Sequence, residues 1–308
     1  MGTALALGLF ALAGWGVWRW AVAQGSAATL EWIDARFARE TGVRLAAEGT
    51  YGAAANQNVE LWVPDRAAPA GGWPLVVWVY GGGWHSGTTK DYRFVARTLG
   101  DAGFATALVG YRLVQDGGRF PAMLEDTAAG VRWARDHAGG HGVRTGRIAL
   151  AGHSAGAYNV LMLALDPQWL AGAGVPEDAI GGVASLAGPA DFYPFTSDSA
   201  RNALGYAPDP ARTQPIRFAR GDAPPILLLH GTADDVVRIR NSRRLAQAAR
   251  EAGGRVEERA FPGMGHAGIV MGLSRPFAQG GIVRDPMVAF LRSATAPGSS
   301  VPVQREPR

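Results

Sequence analysis

Short apolar runs and amphipathic stretches alternate along most of this chain. From residue 75 onward, apolar runs at 75–80, 105–109, 148–151, 182–186, 226–229 and 256–261 are separated by stretches with helical spacing at 92–102, 123–137, 155–165, 241–252 and 285–292. A run that is apolar on both faces suits a strand inside a parallel sheet, because helices cover both sides of such a sheet. Strand and helix in alternation predict an α/β fold with a doubly wound, mostly parallel central sheet. Upstream, residues 44–50 and 59–63 read as two extended stretches that pair antiparallel and open the sheet. Residues 30–41 read as an amphipathic connector helix, with Leu30, Trp32, Ile33, Phe37 and Ala38 set among charges. The main insertion covers residues 191–223. A cap built from it is small or minimal and leaves an open site.

The two ends of the chain depart from this pattern. Residues 2–18 carry no charge, and Trp15, Trp18 and Trp20 stand near the end of the run, before the small residues of 21–27. Residues 1–27 are expected to be a signal or membrane-anchor segment. The protein is accordingly expected to be exported (periplasmic or secreted) or tethered to the inner membrane. Residues 28–294 make one α/β domain. Residues 295–308 are rich in Pro and Ser without periodicity and are expected to be a flexible tail.

Composition narrows the chemistry. Of 308 residues, 47% are apolar and 18% charged, enough for one substantial core. The absence of cysteine excludes disulfides, a thiol nucleophile and thiolate-bound metals. The net charge is +4, carried almost wholly by arginine, with Lys90 the one lysine. These charges are scattered and form no stripe of the kind a nucleic acid requires, so no nucleic-acid partner is expected.

The sharpest motif is Gly152-His153-Ser154-Ala155-Gly156, which lies between an apolar run and a helical stretch. A sharp strand-to-helix turn of this type presents a serine hydroxyl above the sheet edge. The helix dipole and the Ala155 amide then face an oxyanion that forms at the serine. The plain alternative is a structural turn with an idle serine. His153 is read as a packing neighbour that points away from Ser154. The run 75–80 ends in Gly81-Gly82-Gly83, followed by Trp84. Without side chains, the backbone amides of such a loop can approach a substrate oxygen. The loop lacks the Gly-Lys-Ser/Thr ending of a phosphate-binding loop.

Two further loops supply an acid and a base. Asp234 follows the run 226–229, with Asp235 as its neighbour and competitor, and His266 sits in a glycine-rich loop after 256–261. A histidine can take the serine proton and pass it to the leaving group, while a carboxylate fixes its tautomer. His230 is read as a hydrogen-bonded structural residue, and His137 and His141 as solvated. The histidines do not cluster, so no metal is expected.

These motifs resemble those of bacterial carboxylesterases with the α/β-hydrolase fold, of the hormone-sensitive-lipase-like and feruloyl/acetyl-esterase-like kinds. The likeness covers roughly residues 51–292 and also rests on Tyr111-Arg112-Leu113, Gly188-Pro189-Ala190-Asp191-Phe192 and Gly265-His266. It implies Ser154, Asp234 and His266 as a triad in that chain order, with Gly82, Gly83 and Ala155 as oxyanion donors. One departure is Tyr80, where the family usually has histidine before the glycines. Tyr80 is read as structural, against the alternative of a tyrosine that donates to the oxyanion. Trp84, Tyr111 and Phe192, with Tyr193 beside them, are candidate pocket walls. The expected reaction is hydrolysis of short acyl or aryl esters through an acyl-serine, with a small-molecule ester as partner and no cofactor. The alternatives are a formamidase or small amide hydrolase with the same triad, and a non-catalytic binding protein on this fold.

Overall fold

The computed structural model describes residues 27–37 and 42–297. Apart from Ala27, the expected signal or anchor segment lies outside the described residues, as does the expected tail beyond 297.

Eight strands form one sheet: β1 (Val43–Thr50), β2 (Asn58–Pro64), β3 (Trp73–Val79), β4 (Ala105–Val109), β5 (Val143–His153), β6 (Ile180–Leu186), β7 (Ile226–Gly231) and β8 (Val256–Phe261). Their order is β1-β2-β4-β3-β5-β6-β7-β8. β1 pairs antiparallel with β2, and β2 with β4; all other neighbours are parallel. The helices are α1 (Ala27–Phe37), α2 (Arg93–Asp101), α3 (Ala122–Ala138), α4 (Ala155–Leu165), α5 (Gln168–Gly172), α6 (Asp198–Leu204), α7 (Arg240–Glu251), α8 (His266–Met271) and α9 (Arg284–Ala294). This is the α/β-hydrolase architecture.

The apolar runs are buried because helices cover the sheet on both faces. In β3, Leu75, Val76, Val77 and Val79 have no exposed surface, and the same holds for Leu227, Leu228 and Leu229 in β7. Each such side chain contributes about 1.5–3 kcal/mol relative to leaving it in water. β8 differs from its sequence reading as an apolar run. Three of its six residues, Glu257, Glu258 and Arg259, are charged; Glu257, Arg259 and Ala260 are exposed and only Phe261 is buried, because β8 lies at the edge of the sheet, where a strand is left partly in water.

Parallel strands share a direction, so their C-terminal ends lie along one edge of the sheet. The loops after β3, β5, β7 and β8 emerge at that edge, and they carry the glycine triplet, Ser154, Asp234 and His266. Loops at this edge are where open α/β sheets form their sites.

Candidate active site

Ser154 stands between β5 and α4 with φ 54° and ψ −120°, a backbone conformation a non-glycine residue rarely adopts. The surroundings hold it there. Its N–H donates to Leu186 O of the neighbouring strand at 2.9 Å, and its carbonyl accepts from Tyr158 N at 3.0 Å. The tight turn requires glycine beside it: a Cβ on Gly156 would come within 2.2 Å of Val79 O and 2.4 Å of Tyr80 O.

The raised hydroxyl meets His266, the first residue of α8. Ser154 Oγ lies 2.9 Å from His266 Nε2, and His266 Nδ1 lies 2.7 Å from Asp234 Oδ2. A carboxylate only accepts, so the proton of the neutral ring sits on Nδ1 and Nε2 is free to accept from serine. Asp234 is buried and fully engaged. Its Oδ1 accepts from Val236 N at 3.0 Å and Val237 N at 2.8 Å, while His230 Nε2 approaches Oδ2 at 3.3 Å. Burial by itself pushes the Asp234 carboxyl up. The hydrogen bonds from His230 and His266 outweigh it, so the group is held well below the usual carboxylate range. Asp235 is exposed, so of the two neighbouring acids it is Asp234 that meets His266.

Two other histidines lie against the triad, and His230 is the hydrogen-bonded structural residue that the sequence suggests. His230 is fully buried and bridges Ser242 Oγ (2.7 Å) and Val237 O (2.6 Å). It thus braces the loop that presents Asp234. His153 does not simply point away from the site. Its ring lines the cavity and packs against the His266 ring, and its Nε2 lies 3.3 Å from His266 O. Burial, and then the neighbouring His266, push its pKa down to about 3, so it stays neutral. The elbow motif flags the position, but only the return of the 266 loop shows what it touches.

The glycine loop abuts the serine: a Cβ on Gly81 would lie 3.1 Å from Ser154 Cβ. Gly81 N donates to the Tyr92 hydroxyl at 3.3 Å. The Gly82 carbonyl accepts from the His85 and Ser86 amides, both at 3.1 Å, which turns the Gly83 N–H the opposite way across that peptide. The amides of Gly82, Gly83 and Ala155 have no partner among the described residues. They stand at the loop and helix end that adjoin Ser154. Backbone amides so placed stabilise a developing oxyanion.

Tyr80 lies elsewhere. It is buried and stacked on Tyr111 with ring centroids 4.8 Å apart. Its hydroxyl donates to Tyr111 O at 3.3 Å, and the Tyr111 hydroxyl donates to Tyr80 O at 3.2 Å. This reciprocal pair ties the ends of β3 and β4 together and keeps the Tyr80 hydroxyl off the reacting side.

A cavity of about 600 Å³ opens over Ser154 and His266. The expected walls need correction. Trp84 and Tyr111 are buried, and neither they nor Phe192 line the cavity. Trp84 packs edge-on against Tyr158 and stacks on Phe192, with its Nε1 donating to Asn159, so these rings form a core behind the loop. The insertion 191–223 contributes nothing to the walls either. Instead, Leu30 and Ile33 of α1, with Val270, Met271 and Phe277 after His266, form an apolar cover.

Buried ion pairs fix that cover. Arg97 of α2 donates through Nε to Asp34 (2.9 Å) and through Nη1 and Nη2 to Glu31 (3.0 and 2.8 Å). Asp34 has no exposed surface and also accepts from Ser274 Oγ and Arg275 N, both at 2.8 Å. α1 is therefore part of the site and not merely a connector.

Comparison with known proteins agrees with this fold. The BD-FAE family model matches residues 60–249. The esterase LipC of Mycobacterium tuberculosis is 28% identical over 243 residues, covering 70% of this chain and 58% of LipC. An acetyl-hydrolase of Streptomyces hygroscopicus is 29% identical, covering 72% of this chain and 77% of that protein. Among solved structures, an inhibited esterase B from Lactobacillus rhamnosis aligns with a TM-score of 0.73 at 21% identity, over 91% of this chain and 94% of that one. The chain spans little more than half the length of LipC.

Proposed function

This chain belongs to the BD-FAE family of α/β hydrolases, and on that footing we propose that it is a serine carboxylesterase acting on short acyl or aryl esters of small molecules. The observation that carries the reading is the continuous chain Ser154 Oγ–His266 Nε2–His266 Nδ1–Asp234 Oδ2, at 2.9 and 2.7 Å.

In this reading His266 takes the Ser154 proton as Oγ attacks the ester carbonyl. The carbonyl oxygen becomes an oxyanion, held by the amides of Gly82, Gly83 and Ala155. Asp234 stabilises the imidazolium that forms. His266 then protonates the departing alkoxide, which leaves the acyl group on Ser154. Water, deprotonated by the same His266, attacks this acyl-serine and releases the acid. The apolar cavity under α1 receives the acyl or aryl part, since such surface gains free energy on leaving water.

Two measurements test the reading. A fluorophosphonate probe is expected to label the protein but not a Ser154→Ala variant. A panel of p-nitrophenyl acyl esters, aryl formamides and aminoacyl anilides is expected to show turnover of the esters. Turnover of the amides alone would replace the esterase reading with an amidase one.

A further inference from the structure

Helix α1 is apolar on two faces. One face, with Leu30 and Ile33, forms the cavity cover described above. On the outer side Ala28, Trp32 and Ala35, spaced four and three apart, make an exposed stripe along one line of the helix. Trp32 is 57% exposed. Arg36 lies 3.2 Å over the Trp32 ring and makes no ion pair with a described residue. A helix that is apolar on its outer side as well as its inner one needs a second apolar environment.

The same surface surrounds the mouth of the cavity. Ala28 is both exposed and part of the cavity wall, and so is Val236, at 69% exposure. Asp91 lines the cavity, and exposed basic residues stand close in sequence to its lining positions. Arg238 and Arg240 follow Val236, and Lys90 adjoins the cavity-lining Asp91; all three are exposed and have no carboxylate partner among the described residues, while Asp235 is the acid of the Val236 loop. An exposed tryptophan beside an arginine, with exposed basic residues next to the cavity-lining positions, is the composition of a lipid-interface contact. The chain outside the described residues points the same way. Residues 1–26 contain seventeen consecutive uncharged residues after Met1, at 2–18, and they join the fold at Ala27, itself a cavity-wall residue.

We propose that the face formed by the outer stripe of α1 and the Val236 loop docks on an anionic lipid bilayer, with the mouth of the cavity turned toward the membrane. Esters that partition into lipid then reach Ser154 without crossing bulk water. The docking is independent of the esterase reading, and this delivery of substrate rests on it.

The absence of cysteine permits a direct test on the full chain. Single cysteines placed by Trp32→Cys, Val236→Cys and Glu251→Cys carry an environment-sensitive fluorophore. Glu251 is exposed at the C-terminal end of α7, at the opposite edge of the sheet from the mouth. Vesicles of equimolar phosphatidylcholine and phosphatidylglycerol are added, and emission and iodide quenching are read. Blue shifts with loss of quenching at 32 and 236, but not at 251, are expected. No change at 236 overturns the proposal, even if 32 responds, since a tether alone brings α1 near the lipid. Equal change at 251 overturns it as well. Native circular dichroism of each labelled variant guards against misfolding. Fluorophosphonate labelling of the unsubstituted protein separately reports the hydrolase reading, so a failure of one is distinguishable from a failure of the other.

Discussion

The ring of His153 lies 4.8 Å from that of His266, centroid to centroid, and its Nε2 meets the His266 carbonyl at 3.3 Å. A carbonyl accepts only, so His153 donates from Nε2. Its Nδ1 is left buried without a partner among the described residues. The residue next to Ser154 thereby holds the backbone of His266, the proposed base.

The contact makes His153 a positioning residue, and a substitution can separate that role from packing. His153→Phe keeps a ring and loses the donor. We expect kcat to fall by about 10- to 100-fold, the scale of a small misplacement of a catalytic group, with little change in KM. His153→Gln, which retains an N–H donor, should recover part of the loss. Equal kcat in the Phe variant and the unsubstituted protein would rule the role out.

Acid should destabilise the fold through the same residue. His153 has a folded pKa of about 3 against an ordinary 6.5, so the unfolded chain binds more protons between those values. Its stabilisation is complete above about 6.5 and is lost as pH falls toward 3. Asp234, also held below its ordinary value of 3.8, acts in the same direction at lower pH. Thermal melts from pH 7 to pH 4 should show a falling Tm, with a shallower slope in His153→Phe. An unchanged slope in that variant would assign the acid sensitivity elsewhere.

Asp234→Asn should preserve the fold and cripple the chemistry. An amide at 234 can donate to His266 Nδ1 and so favour the wrong tautomer, a change that costs about 10⁴-fold in kcat in serine hydrolases of the same logic. Steady-state rates on a p-nitrophenyl ester measure it. A loss below about tenfold would remove Asp234 from the proposed role.

If the acyl group occupies the cavity as proposed, its chain-length preference is set by Leu30 and Ile33, which line it. Ile33→Trp should fill part of the cavity of about 600 Å³. The optimum in an acyl-length series should then shift to shorter chains, with acetyl esters least affected. An unaltered chain-length profile would show that the acyl group binds elsewhere.

Arg97→Met should loosen that cover. It leaves the buried Asp34 carboxylate without its cation, and breaking a buried pair from one side typically costs about 3–5 kcal/mol. Urea unfolding monitored by tryptophan fluorescence reads the loss. A change of under about 1 kcal/mol, the scale of an exposed pair, would show that water or a neighbour replaces the guanidinium.

The local pattern of the chain determined a great deal. The runs 75–80, 105–109 and 226–229 declare themselves as buried strands because both faces of each must be covered, and the elbow around Ser154 is legible because strand, turn and helix have separate local signatures. Parallel strands then bring the loops carrying Ser154, Asp234 and His266 to one sheet edge, so order along the chain already suggests their meeting. Tertiary structure decided what lies around them. Trp84, Tyr111 and Phe192 look like pocket walls by composition, yet they pack into a core behind the glycine loop. α1 looks like a connector by spacing, yet Arg97 draws Glu31 and Asp34 across sixty or more positions and lays Leu30 and Ile33 over Ser154. Periodicity records that a face is apolar but not what it meets. A pocket is made of such meetings between distant segments, and burial and ion pairing fix them only when the whole chain is packed.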